Sequence, residues 1–257
     1  MARFDRSAVS RAHYIHAVNQ AWLLINDLVF GVMALFLVRN HAERAIQVVH
    51  RSSLLLTGGD ILSSHLMWLM GWPSGFKLNA NFDAFLGANF LAGIQAWRAL
   101  TDWLSPANVY FFYAVVTSSV FGLSMMLAVL SDLLSVITLH VYVFYRVAAG
   151  LYKSLADVMS SLWKLFRGKK YNVLRKRIDS CNYNLDQLLL GTILFTILFF
   201  LAPTTIVYYA FFTLARLAIV TAQLGLLLTI SLLHHFPLFG LTVYARDSAR
   251  LPGGIRF

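Results

Sequence analysis

Apolar residues run nearly unbroken through five or six stretches of the chain, and charged residues collect at their edges. Residues 21–38 read AWLLINDLVFGVMALFLV, close to the ~20 apolar residues that carry a helix across a bilayer, which predicts a span near 20–38. Asn26 and Asp27 interrupt it, and Arg39, His41, Arg44, His50 and Arg51 follow. Residues 53–72 are long enough to cross but contain Gly58, Gly59, Asp60 and His65. A weak or re-entrant segment fits them as well as a full crossing. Trp68 and Trp72 suit a headgroup belt.

Residues 72–83, WPSGFKLNANFD, form a turn-rich polar break. Residues 85–103 then mix apolar positions with Gln95, Arg98 and Asp102, the pattern of a helix lying in the interface. Residues 109–145 hold no Lys, Arg or Glu and one acid, Asp132. At ~1.5 Å per residue they make roughly 55 Å of helix against a ~30 Å hydrocarbon core. Two spans are expected, 108–130 and 132–152, meeting near Ser131–Ser135.

Residues 153–177 carry Lys153, Lys164, Arg167, Lys169, Lys170, Arg175, Lys176 and Arg177 interleaved with Leu155, Leu162, Trp163, Leu165 and Phe166, against one acid, Asp157. That is a basic amphipathic segment at a membrane surface, and the positive-inside bias places 153–186 in the cytosol. Residues 187–210 and 213–234 read as two further spans, which puts the tail 235–257 in the cytosol too. Pro203 removes a backbone bond to Phe199, and the Thr204 and Thr205 hydroxyls stand close enough to serve the groups so freed. Ala215, Ala218, Ala222 and Gly225 recur at helical spacing, a stripe that lets another helix approach closely. Packing within the chain and packing on a partner both fit it. No internal repeat supports a repeat-built transporter. The expected fold is all-α: a polytopic membrane protein of about five or six transmembrane helices plus interfacial amphipathic helices, in one membrane domain over 1–257.

Composition agrees with this pattern. Of 257 residues, 59% are hydrophobic and only 12% charged, where soluble domains approach about one quarter charged. The net charge of +10 would admit nucleic acid as a partner, but the cations flank apolar runs, so nucleic acid is not expected. Cys181 is the single cysteine, which excludes an intramolecular disulfide and cysteine-based metal cages. The N-terminal arginines precede no short apolar region with a cleavage site, so the first apolar run is expected to be retained.

Catalytic chemistry has little to draw on. Glu43 is the one glutamate, beside ten aspartates. No D-x-D for a nucleotide-sugar cation, no G-x-G-x-x-G and no Walker loop occurs. His13 with His16, and His234 with His235, lack carboxylate or cysteine companions, so neither a metal nor another cofactor is expected. Asp27, Asp60 and Asp132 lie in apolar surroundings, where an ionisable group is costly and usually functional. They support a second reading, a small transporter or channel subunit. Against it stands the simpler one, that each carboxylate bonds Ser, Asn or Arg on a neighbouring helix. Lys164, Arg167, Lys169, Lys170, Arg175, Lys176 and Arg177 either bind anionic lipid headgroups, phosphatidylinositol among them, or only set topology.

Four stretches carry a resemblance: 71–79 (GWPSGFKLN), 165–204 (LFRGKKYNVLRKRIDSCNYNLDQLLLGTILFTILFFLAPT), 234–239 (HHFPLF) and 251–255 (LPGGI). Together they resemble the PIG-Q family, a subunit of the phosphatidylinositol N-acetylglucosaminyltransferase complex. Matching positions include Pro73, Gly75, Lys77, Asn79, Asp186, Gln187, Pro237, Pro252, Gly253 and Gly254. The resemblance implies residence in the endoplasmic reticulum membrane. It also implies a role in moving N-acetylglucosamine from UDP-GlcNAc to phosphatidylinositol on the cytosolic face, the first step of glycosylphosphatidylinositol (GPI) anchor synthesis. Catalysis would belong to a PIG-A subunit, with PIG-C, PIG-H, PIG-P, PIG-Y and DPM-type subunits as further partners, and no catalytic residue transfers to this chain. Family members usually carry a long region ahead of this membrane portion, so a fragment, an isoform and a shortened relative all fit.

Overall fold

A computed structural model describes residues 2–41, 61–71, 78–104, 106, 108–236 and 238–246. In chain order the elements are α1 (Ala2–Asn40), α2 (Ile61–Met70), α3 (Ala80–Leu104), α4 (Asn108–Ser118) and a 3-10 turn (Ser119–Phe121). There follow α5 (Leu123–Ile137), α6 (Leu139–Phe166), β1 (Lys169–Asn172), β2 (Arg177–Ser180), α7 (Leu185–His235) and α8 (Leu238–Arg246). Among the described residues two helical segments are long and apolar enough to cross a membrane, His16–Asn40 and Leu185–His235. The number rises to four if each of two interrupted helix pairs counts as one span. The helical membrane class stands, and the expected five or six spans are not reached among the described residues.

Several boundaries differ from the sequence expectation. The spans expected at 187–210 and 213–234 are one continuous helix, α7. Residues 209–214 hold no Gly, Pro or Asn to end it, and the Thr213 hydroxyl donates back to the Tyr209 carbonyl across the expected gap. The span expected at 108–130 is broken at Gly122, whose φ of +130° no L side chain adopts easily. The join expected near Ser131–Ser135 lies inside α5, and the interruption falls at Thr138 instead. The polar break at 72–83 gives way to helix at Ala80, because the Asn79 side-chain oxygen accepts from the Phe82 N–H and caps α3. Segment 153–186 is not helical throughout. It contains the antiparallel β1–β2 hairpin, a departure from an all-α chain.

The chain divides into two compact units. In the first (Met1–Ser52, Leu104–Val136, Thr221–Phe257), Leu23, Asp27 and Gly31 form the buried face of α1 at spacing i, i+4, i+8. A Cβ on Gly31 would strike the backbone of Ser119 and Gly122, so α1 and the 3-10 turn meet backbone to backbone. Helix α8 packs on α1, and Gln223 donates to the Ser135 hydroxyl at 2.7 Å.

The second unit (Ser53–Trp103, Ile137–Val220) holds a core of α2, α3, α6 and α7 side chains. Helix α3 contributes Leu86, Phe90 and Ile94, one turn apart, and α7 contributes Tyr208 and Phe212. Phe90 stacks on Tyr208 and meets Phe144 edge-on. Helix α3 is thus a central helix of its unit. Helices α6 and α7 run antiparallel: Phe166 meets Phe195, Tyr152 stacks on Tyr209 at 4.9 Å, and Phe144 packs on Phe212.

Candidate functional site

Three polar features stand out on this apolar frame. The first is buried between α3 and α7 in the second unit. Asp83 is 4% exposed, and its carboxylate accepts from the Tyr208 hydroxyl at 2.7 Å. One turn earlier on α7, the buried Thr204 hydroxyl oxygen accepts from the Asn79 N–H at 3.0 Å. Thr204, Tyr208 and Phe212 share one face of α7 by their i, i+4, i+8 spacing. Pro203, just before this face, leaves the backbone there short of a donor. Thr205 donates to the Leu201 carbonyl, whereas Thr204, expected to serve the kink, binds the start of α3 instead. Asn79 thereby caps α3 and ties it to α7.

The second feature is Asp27, 6% exposed in the first unit. Its carboxylate accepts from the Ser124 N–H at 2.9 Å and the Ser124 hydroxyl at 2.6 Å. A carboxylate on α1 therefore caps the N-terminus of α5, where free N–H groups and the helix dipole favour negative charge. Of the three intramembrane aspartates, Asp132 is exposed on α5, Asp60 lies outside the described residues, and Asp27 is held by a serine.

The third feature is the α6–hairpin–α7 turn. Seven cations lie between positions 164 and 180 against one carboxylate, Asp179. Lys164 belongs to the last turn of α6, Arg167 follows it, and Lys169 and Lys170 sit on β1. Arg175 and Lys176 occupy the turn, and Arg177 on β2 pairs with Asp179 at 2.7 Å. Apart from half-buried Lys164 these cations are exposed. Asp186 and Gln187 explain themselves locally: the Gln187 side chain accepts from the Asn184 N–H, one half of a capping box at the start of α7, with Asp186 in its first turn.

Of the small-residue stripe, Ala218, Ala222 and Gly225 are exposed and Ala215 half-buried, and a Cβ on Gly225 would meet nothing within 4 Å. Pro73, Gly75, Lys77, Pro237, Pro252, Gly253 and Gly254 lie outside the described residues. Sequence reading missed Asp83, Tyr208 and His140. Asp83 hid at the edge of a polar break, although its offset of 3 from Leu86 and 7 from Phe90 sets it on their face. His140 is buried and stacked on Trp97 at 5.2 Å.

Residues 2–253 match the family described as N-acetylglucosaminyl transferase component (Gpi1). Among curated relatives, the mouse phosphatidylinositol N-acetylglucosaminyltransferase subunit Q is 45% identical over 75% of this chain and 33% of its own length. The human subunit Q is 39% identical over 92% of the chain and 31% of its own length. The Schizosaccharomyces pombe N-acetylglucosaminyl-phosphatidylinositol biosynthetic protein gpi1 is 36% identical over 95% of the chain and 37% of its own. The chain thus spans about a third of the length of these relatives. No solved structure is significantly similar to it. The resemblance carried by the four sequence stretches agrees with these matches, and the chain belongs to the Gpi1 family of N-acetylglucosaminyl transferase components.

Proposed function

We propose that the chain is a non-catalytic scaffold and stabilising subunit of the membrane complex that transfers N-acetylglucosamine from UDP-GlcNAc to phosphatidylinositol, the first step of GPI-anchor biosynthesis. The observation that carries this reading is the family match over residues 2–253, with relatives named as subunits of that transferase. The carboxylates add support: buried Asp27 and Asp83 are engaged in helix-to-helix hydrogen bonds rather than paired across a cleft. Catalysis then resides in a PIG-A-type chain, with PIG-C, PIG-H, PIG-P, PIG-Y and DPM-type subunits as neighbours. The chain sits in the endoplasmic reticulum membrane, with the 153–186 segment on the cytosolic side, where phosphatidylinositol is at hand; the two-span premise that set the C-terminus there as well gives way to one continuous α7.

Lys164, Arg167, Lys169, Lys170, Arg175, Lys176 and Arg177 face the lipid surface, and the open Ala218–Gly225 side of α7 receives a helix of another subunit. Transfer of N-acetylglucosamine by the purified chain alone, at a rate near that of the assembled complex, would overturn the scaffold role; no turnover is expected. Ala218→Leu with Ala222→Leu is expected to reduce co-purification of the other subunits from detergent-solubilised membranes. Unchanged recovery would remove the stripe from the interface.

A further inference from the structure

The β1–β2 hairpin is amphipathic in a way that the linear sequence conceals. The register places Lys170 opposite Asp179, Tyr171 opposite Ile178, and Asn172 opposite Arg177. Cross-strand partners share a face, so Lys170, Asn172, Arg177 and Asp179 line one side. That side is closed on itself by Asn172 donating to Asp179 at 3.0 Å and by the Arg177–Asp179 pair. The other side presents Tyr171, 50% exposed, beside Ile178, 54% exposed. At the tip Val173 is 76% and Leu174 95% exposed.

This exposure is built in rather than incidental. The Asn172 side-chain oxygen accepts from both the Leu174 and Arg175 N–H groups, and Lys176 takes a left-handed φ of 49°. The turn is thereby fixed with its two apolar side chains outward. At the foot, Cys181 N–H donates to the Gly168 carbonyl at 2.9 Å, closing the ribbon two residues after α6 ends and four before α7 begins. A lone two-stranded ribbon is marginal in water, and among the described residues no third strand pairs with this one. Its short foot joins α6 and α7, which run antiparallel.

We propose that this hairpin is a membrane wedge: Val173 and Leu174 enter the headgroup–acyl boundary, and Lys169, Lys170, Arg175 and Lys176 bind the phosphates of anionic lipids around the entry point. Two chemistries coincide there, apolar side chains that gain by leaving water and cations that gain near an anionic leaflet. The inference deepens the lipid-surface reading of the basic segment and is independent of which subunits assemble with the chain.

The full chain with Cys181→Ser and Leu174→Cys carries one thiol, which takes an environment-sensitive fluorophore. A Val173→Cys version repeats the measurement at a second exposed position, where substitution opens no core. Each labelled protein is placed in nanodiscs of phosphatidylcholine alone, or with added phosphatidylinositol or phosphatidylserine. Emission is expected to shift to the blue, and aqueous iodide quenching to fall several-fold, in both anionic compositions. Protection by phosphatidylinositol but not phosphatidylserine assigns the cations to the inositol headgroup and also upholds the wedge. Labels open to iodide in every composition, or equally protected without anionic lipid, overturn it. Protection gained only when other subunits are co-purified overturns it as well and gives the tip to a protein surface. Since the measurement uses this chain alone, failure here leaves the scaffold role standing, and loss of subunit recovery would leave the wedge standing.

Discussion

Asp83 and Tyr208 meet where α3 and α7 cross, in a region that a bilayer would surround with hydrocarbon. Lipid tails are as apolar as Leu, so burial of Leu86 or Phe90 gains little over contact with lipid, and close packing and hydrogen bonds carry more of the association. Tyr208→Phe should destabilise the chain by about 0.6 kcal/mol, the average for such bonds within a membrane, and by no more than about 1.7 kcal/mol. With Asp83→Leu added, the loss should fall short of the sum of the single changes, read as a double-mutant cycle of unfolding in mixed micelles. Additive losses would mean that the 2.7 Å bond contributes nothing. Asp27 offers a sharper contrast. Asn keeps an oxygen for the Ser124 N–H, so Asp27→Asn should stay near wild-type stability, while Asp27→Ala loses the cap of α5 and should cost ~1 kcal/mol. Neither carboxylate's partner could be read from the chain, because Asp27 and Ser124 stand 97 positions apart and Asp83 and Tyr208 stand 125 apart. Local pattern reports which side chains are out of place in an apolar run. It does not report who answers them.

Elements were legible where periodicity or capping acts within a few residues, and illegible where contacts decide. The apolar runs at 20–38 and 187–234 are helical because every backbone group there must be satisfied internally. The interruption at Gly122 depends on the close approach of Gly31 and Asp27, which no local signal carries. The hairpin was hidden for another reason: alternation over four-residue strands is too short to compete with the helical reading of a basic amphipathic stretch. Glycines at two places should therefore respond oppositely. Gly31→Ala pushes a methyl group into the Ser119 and Gly122 backbone and should cost about 1–3 kcal/mol, as overpacking does. Gly225→Ala meets open space within the chain and should leave its melting temperature unchanged or slightly raised. If co-purification falls in that same variant, another helix rests on Gly225. Unchanged recovery would leave that side of α7 to lipid.

At the scale of the whole molecule, the two units differ in what joins them internally. The second is assembled from a ring-rich core, the first from a backbone contact and a borrowed cap. The chain belongs to the Gpi1 family, and two of its helical segments are long and apolar enough to cross a membrane. That division has a consequence in time. Ribosomes add roughly 5–20 residues per second, so synthesis of the 97 positions separating Asp27 from Ser124 takes about 5 to 20 s. Through that interval the first apolar helix exists without the serine that will hold its carboxylate. Biogenesis of this unit is thus a waiting problem, in which an early segment must be kept from straying until a late one is made. Nascent chains arrested before position 124 should release their first helix from the insertion machinery more slowly than longer ones, and Asp27→Leu should abolish the difference.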